Sequence, residues 1–317
     1  MTRVYETKMQ KTNFQNYKKA HATVINNEHW FSDNPPNLGK AFSGKKANKR
    51  HEVVVKIVQR AAKRAAKNGR KPLAEELEQL RKKLRNCRPS GRCGSLACPQ
   101  CARAFQKAKV DAQTKLITAE SNKKLAKKLV FVTIIPKRFT YRPDELHEID
   151  VRNANRWFKD KIKAVGKRTI IGSADLGWEK RRGKQYLQLH WHLVMWTKSP
   201  KKLRTKLKGV FGKKEKYQRP VDVREAEDLG FLAYMNKGIK LPRLLRNNRR
   251  NVAELMLVLD KTEAMDLLVL GKLRLSAQVG ALAVRPIGRV VAVDRGKNRI
   301  EKNGKMRRGE CGFIVKM

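Results

Sequence analysis

Residues 186–196 read YLQLHWHLVMW, an apolar run that holds two of the chain's six histidines, His190 and His192, one residue apart. In a β-strand residues i and i+2 face the same way, so the two imidazoles stand side by side and Trp191 points to the opposite face. The preceding stretch RTIIGSADLGWEK (168–180) is joined to KQYLQLHWHLVMW (184–196) by Arg181, Arg182 and Gly183, which predicts a β-hairpin. With the turn centred between Arg182 and Gly183, Asp175 lies directly across from His190 on the histidine face, and Glu179 shares that face nearer the turn. A slip of one residue would remove Asp175 from it. Two imidazoles and a carboxylate converging on a sheet surface suit a divalent ion such as Mn2+ or Mg2+. An ordinary strand also carries His-x-His as packing residues, so this pair needs a second element to point to chemistry.

Outward from the hairpin, LVFVTIIP (129–136) is a β-branched strand stopped by Pro136, and Leu146, Ile149, Ala154, Trp157, Phe158 and Ile162 recur at helical spacing between Asp144 and Val165. After the hairpin come a short basic helix (about 200–209), a strand in RPVDVREA (219–226) and a helix in EDLGFLAYMNKG (227–238) ended by Gly238. Strand, helix, hairpin, helix, strand, helix predicts an α+β fold with helices packed on an antiparallel sheet. Upstream, residues 1–50 are polar and read as mostly irregular, with a turn at 34–37. Glu52 to Leu84 is helix-forming, broken at Gly69 and restarted with Pro72 in a first turn. Downstream, a basic loop with Arg243, Arg246, Arg249 and Arg250 precedes an apolar helix near 252–270 and two or three short strands around 279–315. The organisation expected is a basic, partly helical extension (1–86), a cysteine segment and helix (87–128), a core (129–240) and a basic C-terminal α/β extension (241–317).

The second element is FLAYMNKG (231–238), in which Tyr234 and Lys237 are i and i+3 and share a helix face. A phenol with a pKa near ~10 is a weak nucleophile, and a neighbouring cation or metal helps its phenolate form. As a bare pattern Tyr-x-x-Lys is most often amphipathic packing.

Four of the five cysteines, Cys87, Cys93, Cys98 and Cys101, fall within fifteen residues. Their spacing, with Gly91, Gly94 and Pro99 between them, suits a structural tetrahedral Zn2+ in a reducing compartment. Cys-x4-Cys-x2-Cys is also the spacing of plant-type iron–sulfur ligands, so that alternative stands beside zinc. Cys311 stands alone and reads as a small buried hydrophobe.

Lysine and arginine number 75 against 28 acidic residues, a formal charge of +47. A field of that size points to a polyanionic partner, above all nucleic acid. Arg88, Arg92 and Arg103 among the cysteines, Arg181 and Arg182 at the hairpin turn, the 81–85 run and Arg243 to Arg250 are the candidate phosphate contacts. No apolar stretch approaches the ~20 residues of a membrane span, and Met1 to Arg50 lacks a signal-peptide core, so a cytoplasmic protein is expected.

FVTII (131–135), HWH (190–192) and YMNK (234–237), in that order, resemble the first strand, the metal motif and the nucleophile motif of the HUH endonuclease superfamily, and within it the rolling-circle replication initiators of plasmids and phages. The resemblance covers about 87–240, because a cysteine segment also precedes the nuclease core in some plasmid initiators. It implies an RRM-like core in which His190 and His192, with Asp175, hold a divalent ion. Tyr234 would attack single-stranded origin DNA, at a stem-loop, to leave a 5′-phosphotyrosyl link and a free 3′-OH, with Lys237 steadying the phosphate or phenolate. Host helicase and polymerase would then be partners, in a prokaryotic cytoplasm.

The chain departs from that pattern at Gly230, where some single-tyrosine initiators carry a glutamate; Glu227 and Asp228 are the nearest upstream carboxylates. No second tyrosine follows Tyr234 within a turn, which argues against a two-tyrosine scheme, and no third histidine of the relaxase kind lies near the core. The competing functions are a non-catalytic basic zinc protein that binds DNA or RNA, and an HUH enzyme of transposition or mobilisation.

Overall fold

The hairpin closes through Gly183, whose φ of +77° is a turn conformation that costs glycine little. Its strands are β3 (Ile170–Arg181) and β4 (Lys184–Thr197), and their register sets Asp175 opposite His190 and Ser173 opposite His192, as expected from the sequence. The computed structural model describes residues 18–32, 44–166, 168–181, 183–212, 220–236, 249–278 and 281–286.

β4 is the spine of the sheet because both of its faces are buried from Leu187 onward. It pairs antiparallel with β1 (Lys128–Ile134) on one side and β3 on the other, while β2 (Thr140–Tyr141) extends the β1 side beside Leu187 and Gln188. β5 (Val221–Glu225) adds beyond β1, and β6 (Leu268–Gly271) beyond β3. The order β5-β1-β4-β3, with helices α5 (Val151–Lys163) and α6 (Pro200–Phe211) in the two crossovers, is a split βαβ arrangement. The α+β, antiparallel-sheet expectation therefore holds.

Period-2 alternation gives the sheet two different faces. Odd residues of β4 turn to α5 and α6: Trp191 stacks on Phe158 at 4.8 Å, and its indole Nε1 donates to Asn155 Oδ1 at 2.6 Å. Trp191 is fully buried, so Trp191→Ala would cost about 3–5 kcal/mol. Even residues of β4 turn to the other layer, where Val194 and Trp196 pack with Val110, Leu116 and Ile117 of α4 (Pro99–Asn122) and with Leu232 and Met235 of α7 (Phe231–Met235).

Three boundaries differ from the sequence reading. The first fifty residues are not mostly irregular where described: residues 18–25 are helical (α1), with Ala20 and Val24 buried at i and i+4, and a single 3-10 turn follows at Glu28–Phe31. Helix α2 (Gly44–Lys67) begins eight residues before Glu52; its lysine-rich first turns masked the apolar stripe Ala47, Val54, Val58, Ala62, Ala65. The apolar helix expected over 252–270 is α8 (Arg249–Lys261), and strands begin at Leu268, because the apolar run there pairs with Ile170–Ser173 as β6. β7 (Leu273–Gln278) and β8 (Ala281–Pro286) form a separate two-stranded sheet. Strand readings beyond 286, Cys311 and the 34–37 turn lie outside the described residues.

α2 reverses into α3 (Lys71–Arg85) through Gly69 at φ +72°, with Pro72 in the first turn. α8 is tied to α3 by ion pairs from Lys83 to Asp260 at 2.7 Å and from Lys261 to Glu76 at 3.0 Å. Both pairs are exposed enough to contribute only ~0–1 kcal/mol each. No described helix is long and apolar enough to cross a membrane.

Candidate functional site

On the α4 and α7 face, one ligand atom from each of Asp175, His190 and His192 lies within 4.8 Å of the others, and all three side chains are buried. His192 Nε2 sits 3.7 Å from Asp175 Oδ2. The His190 and His192 rings stand nearly perpendicular, with centroids 6.2 Å apart. His192 Nδ1 lies 3.1 Å from Thr133 Oγ1 on β1, which leaves Nε2 as the nitrogen facing Asp175. That Nε2 is buried without a hydrogen-bond partner, a cost of about 1–3 kcal/mol that a bound cation would offset. A metal-ligating histidine typically anchors its second nitrogen in this way.

Gly177 makes room for His190. A Cβ built at Gly177 would stand 2.9 Å from His190 Cε1 and 3.4 Å from Nδ1, so any larger residue would push the ring out of place. Phe131 stacks on the His192 ring at 5.7 Å and 11°, closing the β1 side. The donor set, its burial and the unbonded nitrogen fit a divalent ion.

Tyr234 reaches the same place from α7. Its ring lies 5.1 Å from His192, edge to face, and 6.4 Å from Phe131, and the side chain remains exposed. A five-residue helix has no stability of its own, and tertiary contacts hold it. Gln106 Nε2 on α4 donates to the Ala233 carbonyl at 2.8 Å, and Asn236 Nδ2 donates to Gln113 Oε1, also on α4, and to the Leu232 carbonyl at 3.1 Å. Asp228 Oδ1 accepts from the Gly230 N–H at 2.7 Å, so this carboxylate is engaged in shaping the turn into α7.

The four-cysteine cluster lies at the start of α4. Cys98 is the N-cap residue, Cys101 occupies the first turn, Cys87 follows α3, and Cys93 comes after a tight Arg88–Gly91 turn with reciprocal backbone hydrogen bonds of 3.2 and 3.0 Å. Cys87–Cys101, Cys93–Cys101 and Cys87–Cys98 sulfurs are each 3.7 Å apart. A tetrahedron with Zn–S near 2.3 Å requires about 3.8 Å between sulfurs, and a disulfide only about 2.0 Å. Donation from Cys101, then Cys93 and Cys98, holds the Cys87 thiol well below the usual range, while Cys98 and Cys101, crowded by the other thiols, are pushed up. His51 Nδ1 on α2 lies 3.4 Å from Cys98 Sγ, an outer contact that ties α2 to the cluster.

The expected phosphate-binding arginines divide. Arg88 is exposed beside the cluster. Arg92 is committed to the protein itself: it donates to Glu28 at 3.1 Å and Gln100 at 2.9 Å and covers the Phe31 ring at 3.9 Å. Arg103 is buried and points to the carbonyls of Phe31 and Ser32. These two side chains hold the 28–32 turn onto α4. Arg181 ends β3, and Arg249 and Arg250 open α8. Lys237, Arg182, Arg243 and Arg246 lie outside the described residues.

Sequence reading missed Thr133, Gly177, Gln106, Gln113 and Lys109. Lys109 is buried on α4, and Asp175 is the carboxylate acting on it; burial pushes its pKa down to about 8 despite that attraction. The available signal was Gln106, Lys109 and Gln113 at i, i+3 and i+7 in a helix that is otherwise apolar on that side. No protein-family model, curated protein or solved structure matches this chain.

Proposed function

We propose that the chain is an HUH-type, single-tyrosine endonuclease that initiates rolling-circle replication of a plasmid or phage by nicking single-stranded origin DNA. The observation that carries this reading is Tyr234 set 5.1 Å from His192, a member of a buried Asp-His-His triad on an antiparallel sheet. A solitary packing tyrosine or a buried histidine pair has no need of the other.

In the proposed reaction Tyr234 Oη attacks the scissile phosphorus and gives its phenolic proton to solvent, the P–O3′ bond breaks with its electron pair going to the 3′ oxygen, and that oxygen takes a proton from solvent to become a hydroxyl. The products are a 5′-phosphotyrosyl link, whose energy is kept for rejoining, and a free 3′-OH that primes synthesis. Asp175, His190 and His192 would hold Mn2+ or Mg2+, which when bound supplies polarisation of the phosphate and charge stabilisation. Thr133 and Gly177 keep the imidazoles in place, and Gln106 and Gln113 keep α7, with Tyr234, against the triad. The cysteine cluster is read as a structural Zn2+ site that fixes the start of α4. The +47 charge would supply sequence-independent phosphate contacts with steep salt dependence. Host helicase and polymerase would take over at the 3′-OH, in a prokaryotic cytoplasm.

The test is covalent capture. Protein with Mn2+ is mixed with labelled single-stranded fragments of the replicon that encodes it and run on a denaturing gel beside Tyr234→Phe and His190→Ala/His192→Ala. A protein–DNA adduct lost in both variants is expected. Tight, salt-sensitive binding with no adduct on any fragment would replace this reading by a non-catalytic basic zinc protein.

A further inference from the structure

The layer of α4 and α7 covers the triad-bearing face of the sheet only in part. Ile171 on β3 and Val194 on β4 are fully buried beneath it. One strand further out, the same-face residues of β1, Leu129, Phe131 and Thr133, keep some solvent exposure, while Val130, Val132 and Ile134 on the other face have none. Arg224 on β5, across from Phe131, is exposed and pairs with Asp222 at 2.6 Å, so these two charges at the margin of the patch cancel in a chain of +47. α7 borders the patch with Phe231 and Tyr234, i and i+3 on one side of the helix, whose rings lie 5.3 and 6.4 Å from Phe131. Phe231, like Phe131, is only partly buried. Aromatic surface gathered beside an exposed tyrosine and left in water marks a ligand site more than a core.

We infer that Phe131 and Phe231 form a stacking platform for an unpaired nucleobase of the strand that Tyr234 meets. The inference deepens the proposed reading that Tyr234 acts on single-stranded DNA, and rests on it for the identity of the strand. Phosphates are drawn to cations over the whole surface and need no rings. A pair of rings whose neighbouring charges cancel offers little to a phosphate, but it matches the π-face of a base, and every base has one. In a duplex those faces are covered by the adjoining base pairs, so only an unpaired nucleotide presents them. The platform thereby selects single strands without reading their sequence. Phe131 contacts both Phe231 and the His192 ring, the latter at 5.7 Å, so the base seated here belongs to a nucleotide close to the one whose phosphate faces Tyr234.

The test compares strands with and without bases. The zinc-loaded full chain, without added Mn2+ or Mg2+, is titrated by fluorescence anisotropy against oligodeoxyadenylate and against an abasic strand of the same length, for wild type, Phe131→Leu, Phe231→Leu and Phe231→Trp. Wild type is expected to prefer the base-bearing strand by at least about fivefold. The two leucine variants keep an apolar side chain and should lower that preference at least about threefold with abasic binding unchanged, while Phe231→Trp keeps it. A merely structural phenylalanine would move both strands together. An equal fall for both strands in both leucine variants, or a preference indifferent to both substitutions, overturns the inference. A wild type that does not distinguish the strands overturns it too and leaves the patch to an apolar protein surface. The covalent-capture gel decides the nuclease reading separately. An adduct on Tyr234 beside a ring-independent preference keeps the nuclease and removes the platform; a ring-dependent preference with no adduct keeps the platform as a single-strand-binding face and removes the nuclease.

Discussion

The cysteine cluster and the Asp-His-His triad are both metal-competent, and they differ in closure. Cys87, Cys93, Cys98 and Cys101 offer four sulfurs at tetrahedral spacing, which fills the coordination of a structural ion. The triad offers three ligand atoms, and beside it stands Tyr234, 46% exposed. Three protein ligands leave a coordination position of a divalent ion unfilled, and an exposed tyrosine stands beside it. The same helix serves both, with its first turn in the closed cluster and its middle turns against the open one.

The largest expected effect breaks the closed site. Cys98→Ser, or removal of the ion by a strong chelator, should unfold the packing of α2, α3 and the start of α4. The scale is set by the ~10–16 kcal/mol of apparent zinc binding measured for small zinc domains. Metal analysis and thermal unfolding check it; an unchanged melting temperature after loss of the ion would show that the cluster is not a staple.

Next comes the buried lysine of α4. Lys109 has a folded-state pKa of about 8 against 10.5, so between those values the native state binds fewer protons than the unfolded chain and stability rises with pH. Lys109→Met should remove that rise and, without added Mn2+ or Mg2+, stabilise the protein at pH 7 by up to roughly 3 kcal/mol. Denaturant unfolding at pH 7 and pH 10 measures both; a destabilised variant would contradict a buried, unfavourable charge.

Smaller effects sharpen the comparison. Gly177→Ala should displace His190 and weaken Mn2+ binding by about 10–100-fold while leaving zinc content unchanged. Thr133→Val removes the contact to His192 Nδ1 and should cost about tenfold in Mn2+ affinity. Equal loss of both metals in either variant would mean that general unfolding, and not ligand orientation, had been measured.

The two centres also differ in how legible they were. The cysteines lie within fifteen residues, so spacing alone pointed to their joining. The triad could be read because a hairpin converts sequence separation into register: one glycine-bearing turn fixes Asp175 opposite His190. What could not be read was the contribution of α4 (Pro99–Asn122), which ends almost fifty residues before the hairpin begins at Ile170. Lys109 and Lys107 look alike in sequence, and only packing buries both of them and turns Lys107 toward the Ser32 carbonyl. The internal contacts of Arg92 and Arg103 were hidden for the same reason, since charge in a sequence carries no statement of burial. The boundary errors at α2 and α8 arose where lysine-rich turns diluted the apolar period, and where a short apolar run suited either a helix end or a strand.

The most direct measurement of the central claim is mass spectrometry of the covalent adduct. Protein trapped on single-stranded DNA from its own replicon is digested with protease and nuclease, and the nucleotide-bearing peptide is sequenced. The expected result is a 5′-phosphonucleotide on Tyr234, formed with added Mn2+ and absent from His190→Ala/His192→Ala. A nucleotide on any other residue, or an adduct that forms equally without His190 and His192, would contradict the account.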